Sequence, residues 1–302
     1  MKVTIAGATG LIGMALTKAL RADGHEVVAL SRKPGTVGDV PTTVWDPASA
    51  QLPGAACEGV DAFVNLAGVG IADGRWDADH RRAIVDSRVT TTRRLVEAIK
   101  PGAPATFISG SAIGYYGPGD DPVDETAPAG DDFLADVCVQ WEAEAAKAKD
   151  LTRLVVLRTG IVLSPDGGAL PRLLRPARLG AGGPLGGGHQ WQSWVHIDDE
   201  VGLVRHLLTH PSVSGPVNAT APNPVRQAQL ARALGHLLHR PAVVPTPAFA
   251  LRLLLGGAAE MALTGQCVLP TAALHSGYEF VYRELEPALR NLLQLEERGS
   301  AS

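Results

Sequence analysis

The sequence predicts an α/β protein built on a doubly wound parallel sheet, with a smaller α/β region at its C-terminal end. Short apolar runs alternate with segments of helical periodicity through the first 160 residues, which is the pattern of strands joined by crossover helices. A glycine-rich turn joins the first run to the first helical segment. Apolar residues make up 45% of the 302 residues and charged residues 19%, which suits a chain with a large buried core.

The predicted elements follow this alternation along the chain. The first unit is a strand at 3–6, a helix at 11–21 and a strand at 26–30. Further strands are predicted at 61–66, 105–109 and 154–158, and further helices at 79–100, 132–150, 226–239 and 285–295. Each helix is recognised by apolar residues three or four positions apart, as with Leu11, Ala15 and Ala19.

Glycine dominates residues 180–188, directly before an aromatic and polar cluster at 190–196. The composition of 180–188 alone is typical of a linker. The two tryptophans, two glutamines and one histidine that follow favour a loop that lines a functional site. A plain connection is the alternative. A proline-rich connector is predicted at 241–247.

Charge and cysteine content argue against several classes of protein. The chain has 27 Lys and Arg against 31 Asp and Glu, a net charge of −4, so a nucleic-acid partner is not expected. Cys57, Cys138 and Cys267 lie far apart, which suggests neither a disulfide framework nor a zinc site. Asp198 and Asp199 have no companion ligands nearby, so no metal is expected. No apolar run reaches 18 residues, and we predict a cytoplasmic protein without a membrane partner.

Residues 7–13 read Gly-Ala-Thr-Gly-Leu-Ile-Gly and lie between the first predicted strand and helix. In such a turn Gly7 permits the tight bend, Gly10 lets the backbone approach a pyrophosphate, and Gly13 allows close packing of helix on strand. The helix N-terminus adds N–H donors for an anion. An ordinary glycine-rich turn is the alternative to this Rossmann dinucleotide site. The residues predicted to contact the cofactor here are Gly7, Thr9, Gly10, Leu11, Ile12 and Gly13.

The end of the second strand indicates which dinucleotide is bound. NAD sites usually place Asp or Glu there to hold the ribose diol, but residues 27–37 contain no carboxylate. Ser31, Arg32 and Lys33 follow the strand instead, and an Arg fork with a hydroxyl suits a 2′-phosphate. NADP(H) is therefore the predicted cofactor. The alternative is that Arg32 and Lys33 form a solvated turn.

Several motifs together resemble the extended branch of the short-chain dehydrogenase/reductase superfamily. They are residues 7–13, 65–68 (Asn-Leu-Ala-Gly), 109–111 with 116–117, and 196–199. Longer runs resemble an NAD-dependent epimerase-like family, sometimes labelled cell-division inhibitor-like, with a C-terminal domain of unknown function. These runs are 157–164, 180–199, 218–224 and 245–293. The resemblance implies an NADP(H)-binding Rossmann domain at 1–222 and a substrate-side domain at 223–302.

The resemblance also implies roles for single residues. It places Asn65, Leu66, Ala67 and Gly68 against the cofactor and Ser111 at the catalytic Ser/Thr position. The superfamily's Tyr-x-x-x-Lys pair is missing, because the chain has Leu134 and Cys138 at those places. The Lys of that pair normally lowers the pKa of the Tyr, which would otherwise be a poor base at neutral pH.

Other side chains could supply a proton in place of the missing pair. Tyr116 is a candidate donor, with a packed aromatic as the alternative. For His196 a structural role is favoured. For Cys138 a buried apolar role is favoured over that of a nucleophile.

These observations predict an NADP(H)-binding oxidoreductase or epimerase-like enzyme that acts on a carbonyl- or sugar-containing small molecule. A non-catalytic NADP(H)-binding sensor or scaffold is the alternative. The substrate is expected between the nicotinamide and residues 186–196, lined by Ser111, Tyr116, Gln190 and Trp194. Homodimerisation through helices 79–100 and 132–149 is also expected, since the first is rich in arginine and the second carries Asp136, Glu142 and Glu144.

Overall fold

A mostly parallel sheet lies at the centre of the fold in the computed structural model, which describes residues 1–74 and 76–295. The strands are β1 (Lys2–Ala6), β2 (Glu26–Ser31), β3 (Thr36–Val37), β4 (Val40–Val44), β5 (Ala62–Asn65), β6 (Thr106–Ala112), β7 (Pro122–Val123), β8 (Arg153–Thr159), β9 (Ile161–Ser164), β10 (Gly167–Gly168), β11 (Trp191–Gln192), β12 (Trp194–His196), β13 (Gly215–Ala219), β14 (Val225–Arg226) and β15 (Cys267–Val268). The helices are α1 (Leu11–Ala22), α2 (Ala78–Ala98), α3 (Phe133–Ala146), α4 (Ala169–Arg178), α5 (Ile197–Thr209), α6 (Gln227–Leu238), α7 (Ala248–Leu255), α8 (Glu260–Leu263), α9 (Thr271–His275) and α10 (Leu285–Leu292).

The strand order of the sheet is β13-β8-β6-β5-β1-β2-β4-β3. All neighbours are parallel except β3, which pairs antiparallel with β4 at the edge. Ala6 at the end of β1 pairs with Leu30 on one side and Asn65 on the other. The carboxyl ends of the strands therefore meet at one edge, where ligands bind in open α/β sheets. The predicted fold class is confirmed.

Helices cover both faces of the sheet, which explains why the central strands are apolar almost throughout. On one face α1 packs beside α5, and on the other α2 packs beside α3. Ile5 and Leu16 belong to the core on the first face. Phe63 and Phe107 belong to the core on the second. No helix among the described residues is long and apolar enough to span a membrane.

The segment after residue 222 packs against the first part of the chain. Strand β15 pairs with β7, and β14 pairs with β11. Asp199, fully buried in the first turn of α5, accepts hydrogen bonds from the backbone N–H groups of Val281 and Tyr282, each at 2.8 Å. The hydroxyl of Tyr278 donates to the same carboxylate at 3.2 Å. These three hydrogen bonds form a clamp on Asp199, which holds residues 278–282, the segment before α10, against α5.

Several elements of the fold are not predicted by the sequence pattern, among them β3, β4, α4, α5 and α7. The helix predicted at 132–150 ends at Ala146, and the one predicted at 285–295 ends at Leu292. Both overestimates are at C-terminal ends, where a final turn continues the apolar spacing without continuing the helix.

Candidate functional site

The glycine turn between β1 and α1 has the geometry that its spacing predicts. Gly7 has a φ of +82°, a left-handed conformation that glycine adopts without a steric penalty. A Cβ at Gly13 would lie 2.2 Å from the carbonyl oxygen of Gly7, so only glycine lets α1 pack this closely on β1. Gly10 is the N-cap of α1, and the first turn of α1 contains no acidic residue. The N-terminus of α1 can therefore bind an anion.

A cavity of about 230 Å³ opens beside this turn. It is smaller than the roughly 300–1,000 Å³ of pockets that enclose a whole small ligand, so it suits the diphosphate portion of a dinucleotide. Predicted cofactor residues lining the cavity are Gly7, Gly10, Leu11, Ile12, Gly13, Leu66 and Gly68. Val162 on β9 also lines the cavity. It is not predicted from the sequence, because its neighbours in the chain form no recognisable binding motif.

The turn after β2 carries the two predicted cations. Arg32 and Lys33 are exposed, and neither has an ion-pair partner in the part of the chain that the structure describes. The hydroxyl of Ser31 accepts a hydrogen bond from the backbone N–H of Lys33 at 3.2 Å, which shapes the turn. Since β2 is the neighbour of β1, the cations lie beside the glycine turn.

The segment after β5 is held by its own side chains. Asn65 is fully buried; its amide donates to the hydroxyl of Thr92 at 2.9 Å, and its carbonyl oxygen accepts from the N–H of Ala67 at 3.2 Å. Asn65 therefore shapes the loop, which brings Leu66 and Gly68 to the cavity. Thr9 is exposed at the tip of the glycine turn.

Ser111 lies in a hydrogen-bond network at the carboxyl end of β6. Its hydroxyl donates to Oε1 of Glu142 at 2.6 Å. Arg158 donates to both oxygens of the same carboxylate, from Nε at 2.9 Å and from Nη2 at 2.8 Å. Burial lowers the pKa of Arg158, but its hydrogen bonds and charge attraction to Glu142 outweigh burial and raise the pKa overall. The two charges cancel within the network.

Tyr116 closes the other side of this network. It is 9% exposed, accepts a hydrogen bond from Nη1 of Arg158 at 3.0 Å and donates to Oδ1 of Asn218 at 2.7 Å. Burial raises the pKa of Tyr116, although its hydrogen bond from Arg158 opposes the shift. The hydroxyl therefore stays protonated at neutral pH and can act as an acid but not as a base.

Strand register explains how these polar residues meet. Ser111 on β6 pairs with Arg158 on β8, which pairs in turn with Asn218 on β13. Neighbouring positions in register point to the same face of a sheet, so the three side chains lie in a row. Glu142 then reaches them from α3, whose position over the sheet sets the network.

The position that would hold the superfamily's Lys contains a thiol with no charge. Cys138 is 3% exposed, and burial raises its pKa to about 11. A thiol with this pKa is not a nucleophile at neutral pH, which confirms the apolar role predicted for it. His196 also has its predicted structural role. Its Nδ1 caps α5 by accepting from the N–H of Asp198 at 3.0 Å, and its ring stacks on Tyr282.

The two side chains predicted to line a substrate pocket have other contacts. Trp194 is fully buried in the core, and its indole N–H donates to the carbonyl of Asn223 at 3.2 Å. The side chain packs in the same hydrophobic cluster as Ile5 and Leu16, and the substrate contact expected of it stays a prediction. The amide of Gln190 donates to the carbonyls of Leu185 and Ala262. It ties the glycine-rich loop to the C-terminal region.

The strand order and the glycine turn define a protein of the Rossmann class, and comparison with known proteins agrees. The chain belongs to the NAD dependent epimerase/dehydratase family, whose model matches residues 3–219. A model described as a domain of unknown function (DUF1731) matches residues 246–292. Both matches confirm the resemblance seen in the motifs.

Individual relatives cover almost the whole chain. The epimerase family protein SDR39U1 homolog, chloroplastic, of Arabidopsis thaliana is 41% identical over 305 residues, 97% of this chain and 87% of the relative. A crystal structure of the human epimerase family protein SDR39U1 with NADPH covers 98% of this chain and 100% of its own, with 39% identity and a TM-score of 0.90. A nucleoside-diphosphate sugar epimerase from Corynebacterium glutamicum has 35% identity and a TM-score of 0.81, covering 99% of this chain and 59% of its own.

Proposed function

We propose that this protein binds NADPH and uses it to reduce a carbonyl- or sugar-containing small molecule. The observation that carries the proposal is the pair of exposed cations, Arg32 and Lys33, without ion-pair partners among the described residues and beside the glycine turn. A 2′-phosphate bound at this turn gives both cations a negatively charged partner. The human relative crystallised with NADPH supports the same cofactor.

Each part of the site has a distinct task in this proposal. The glycine turn and the N-terminus of α1 hold the diphosphate, and Arg32 with Ser31 holds the 2′-phosphate. The loop after β5 continues the binding surface towards β6. When bound, the reduced nicotinamide supplies a hydride. Ser111 then lies at the strand end where the substrate carbonyl is expected.

Tyr116 is the proton donor that we propose for the reduction. Because burial raises its pKa, the hydroxyl keeps its proton at neutral pH and has one to give to a developing alkoxide. To donate to the substrate, its hydroxyl exchanges the hydrogen bond to Asn218 for one to the substrate oxygen. Ser111 similarly exchanges Glu142 for the substrate, and it stabilises charge that develops on the carbonyl oxygen.

A non-catalytic NADPH sensor is the second candidate function. It is favoured by the fact that the hydroxyls of Ser111 and Tyr116 are both committed to hydrogen bonds inside the protein. Both candidates require the cofactor, so cofactor binding alone does not separate them. The two candidates are separated by whether the reduction rate changes when the two hydroxyls are mutated.

Cofactor preference is the first test. NADPH is expected to bind about 10- to 100-fold more tightly than NADH, the effect of one or two charge-assisted hydrogen bonds. Arg32→Glu should abolish that preference, whereas Arg82→Glu, at an exposed position of α2, should keep it. Titration calorimetry with both dinucleotides measures the ratio. Equal affinities in the unmodified protein would show that the cations form only a solvated turn.

The second test separates an enzyme from a sensor. NADPH oxidation is followed against a panel of carbonyl and sugar substrates, and a responding substrate is then used with Ser111→Ala and Tyr116→Phe. Each change is expected to lower kcat about 10²- to 10⁴-fold, as for the loss of an acid or an oxyanion donor. Tyr282→Phe, which lies against His196, is the control. If both site variants keep full activity, the assignment of the two hydroxyls is wrong.

A further inference from the structure

Helix α2 carries a buried arginine whose charge has no carboxylate partner in the described part of the chain. Arg88 is 8% exposed, and its Nη1 donates to the carbonyls of Ile84 at 3.0 Å and Val69 at 3.1 Å. Its Nε and Nη2 form no hydrogen bond with any described residue. Buried charges are normally paired, so this guanidinium has donors available for a ligand.

A buried N–H donor without an acceptor lies next to this guanidinium. Trp141 on α3 is 6% exposed, and its indole N–H has no hydrogen-bond partner among the described residues. The guanidinium carbon of Arg88 lies 5.2 Å from the centre of the Trp141 ring. Buried donors without acceptors are rare in folded proteins. This indole N–H, next to a guanidinium whose Nε and Nη2 are unused, indicates a ligand group that presents acceptor oxygens.

The position of Arg88 relative to the cavity indicates which group this is. A Cβ added to Gly68 would lie 2.9 Å from the guanidinium carbon, and Gly68 lines the cavity at the glycine turn. The sheet order β2-β1-β5-β6 places Arg32, Gly7, Gly68 and Ser111 in succession along one edge. A dinucleotide with its 2′-phosphate at Arg32 and its diphosphate at Gly7 therefore brings its second ribose to Gly68.

We propose that Arg88, with the indole N–H of Trp141, donates hydrogen bonds to the hydroxyl groups of the nicotinamide ribose. This assignment rests on the proposed NADPH function and adds a contact from α2 that the glycine turn does not supply. Cys138, one turn before Trp141, lies near enough to Arg88 to interact with its charge, and as a thiol it offers no cation there. Arg88 supplies the positive charge from the neighbouring helix.

Two ligands that differ in the nicotinamide half test this assignment. NADPH and adenosine 2′,5′-bisphosphate are titrated by calorimetry into the unmodified protein, Arg88→Met, Arg88→Lys, Trp141→Phe and the control Arg82→Met. NADPH affinity is expected to fall about 10- to 100-fold in Arg88→Met, less in Arg88→Lys, and about 2- to 10-fold in Trp141→Phe. Adenosine 2′,5′-bisphosphate, which lacks the second ribose, should bind every variant as it binds the unmodified protein.

The outcomes that overturn the assignment are distinct from failure of the proposed function. If Arg88→Met binds NADPH as tightly as the unmodified protein, Arg88 does not contact the cofactor. If Arg88→Met weakens both ligands equally, Arg88 only supports the loop at Val69, and the assignment is wrong. If Arg88→Met does not fold, Trp141→Phe decides, because it keeps the ring and removes only the N–H. Failure of the unmodified protein to bind NADPH would instead refute the proposed function.

Discussion

Glu200 shows at the scale of one residue how burial changes a carboxyl group. It lies in the first turn of α5 and is fully buried; its Oε1 accepts a hydrogen bond from the hydroxyl of Thr159 at 2.8 Å. Its Oε2 has no partner among the described residues. Burial raises the pKa of Glu200 to about 8, with the Thr159 hydrogen bond opposing the shift. The folded protein therefore holds a proton there at neutral pH, and the unfolded chain does not.

The free energy of unfolding should fall as pH rises through this range. Between the unfolded pKa near 4.5 and the folded pKa near 8, the folded state binds one proton more, so Glu200 lowers stability by up to about 1.4 kcal/mol per pH unit. Glu200→Gln should remove that slope. Urea unfolding at several pH values from 5 to 8 measures it. Asp86→Asn, at an exposed carboxylate of α2, should keep the slope, and an unchanged slope in Glu200→Gln would show that Glu200 does not cause it.

At the scale of elements, the charges of α2 and α3 act within one chain. Arg93 on α2 pairs with Glu144 on α3 at 3.3 Å, and Lys147 pairs with the same carboxylate at 2.8 Å. The charge pattern of the sequence predicts attraction between such side chains on two protomers. The structure shows that part of this attraction joins the two helices of a single molecule, so a dimer depends more on the apolar part of the surface.

We still propose a homodimer through these helices, with Val139 of α3 at the contact. Val139 is 41% exposed, and a two-fold interface brings the same surface of both protomers together. Light scattering at micromolar concentration should give about twice the 31.5 kDa mass of the chain. Val139→Glu should give a monomer, and Val281→Glu, at a 73% exposed position elsewhere, should not. A monomer mass for the unmodified protein would exclude the dimer.

The sequence was informative about elements whose pattern is local. The alternation of strands and helices predicted the parallel sheet, and the glycine spacing predicted the phosphate-binding turn at Gly7. Both patterns depend on residues that are close in the sequence. Ser111, Arg158 and Asn218 could not be grouped in the same way, since their meeting depends on the pairing of three distant strands. Arg88 was one of several arginines on its helix, and nothing in the spacing marked it as the buried one.

At the scale of the whole molecule, the C-terminal region was the least predictable part. Its strands are two residues long and pair with partners far away in the sequence, as β15 does with β7. Helix α7 exposes Phe249, Leu253 and Leu254, so its apolar residues follow no core-facing period. The boundary predicted between residues 222 and 223 stays a prediction, as does the cytoplasmic location.

The clamp on Asp199 bears on how separable the two regions are. Leu285 and Leu289 lie in the same hydrophobic cluster as Ile5, and the Asp199 carboxylate takes its backbone donors from Val281 and Tyr282. A fragment that ended at residue 222 would expose that cluster and remove the donors of the Asp199 carboxylate, a loss of several kcal/mol. The two stretches recognised by separate family models are therefore not interchangeable modules. Replacement of either stretch by that of another protein would have to keep the shared hydrophobic cluster and the hydrogen bonds of Asp199. Substitutions in one stretch are therefore constrained by the residues of the other.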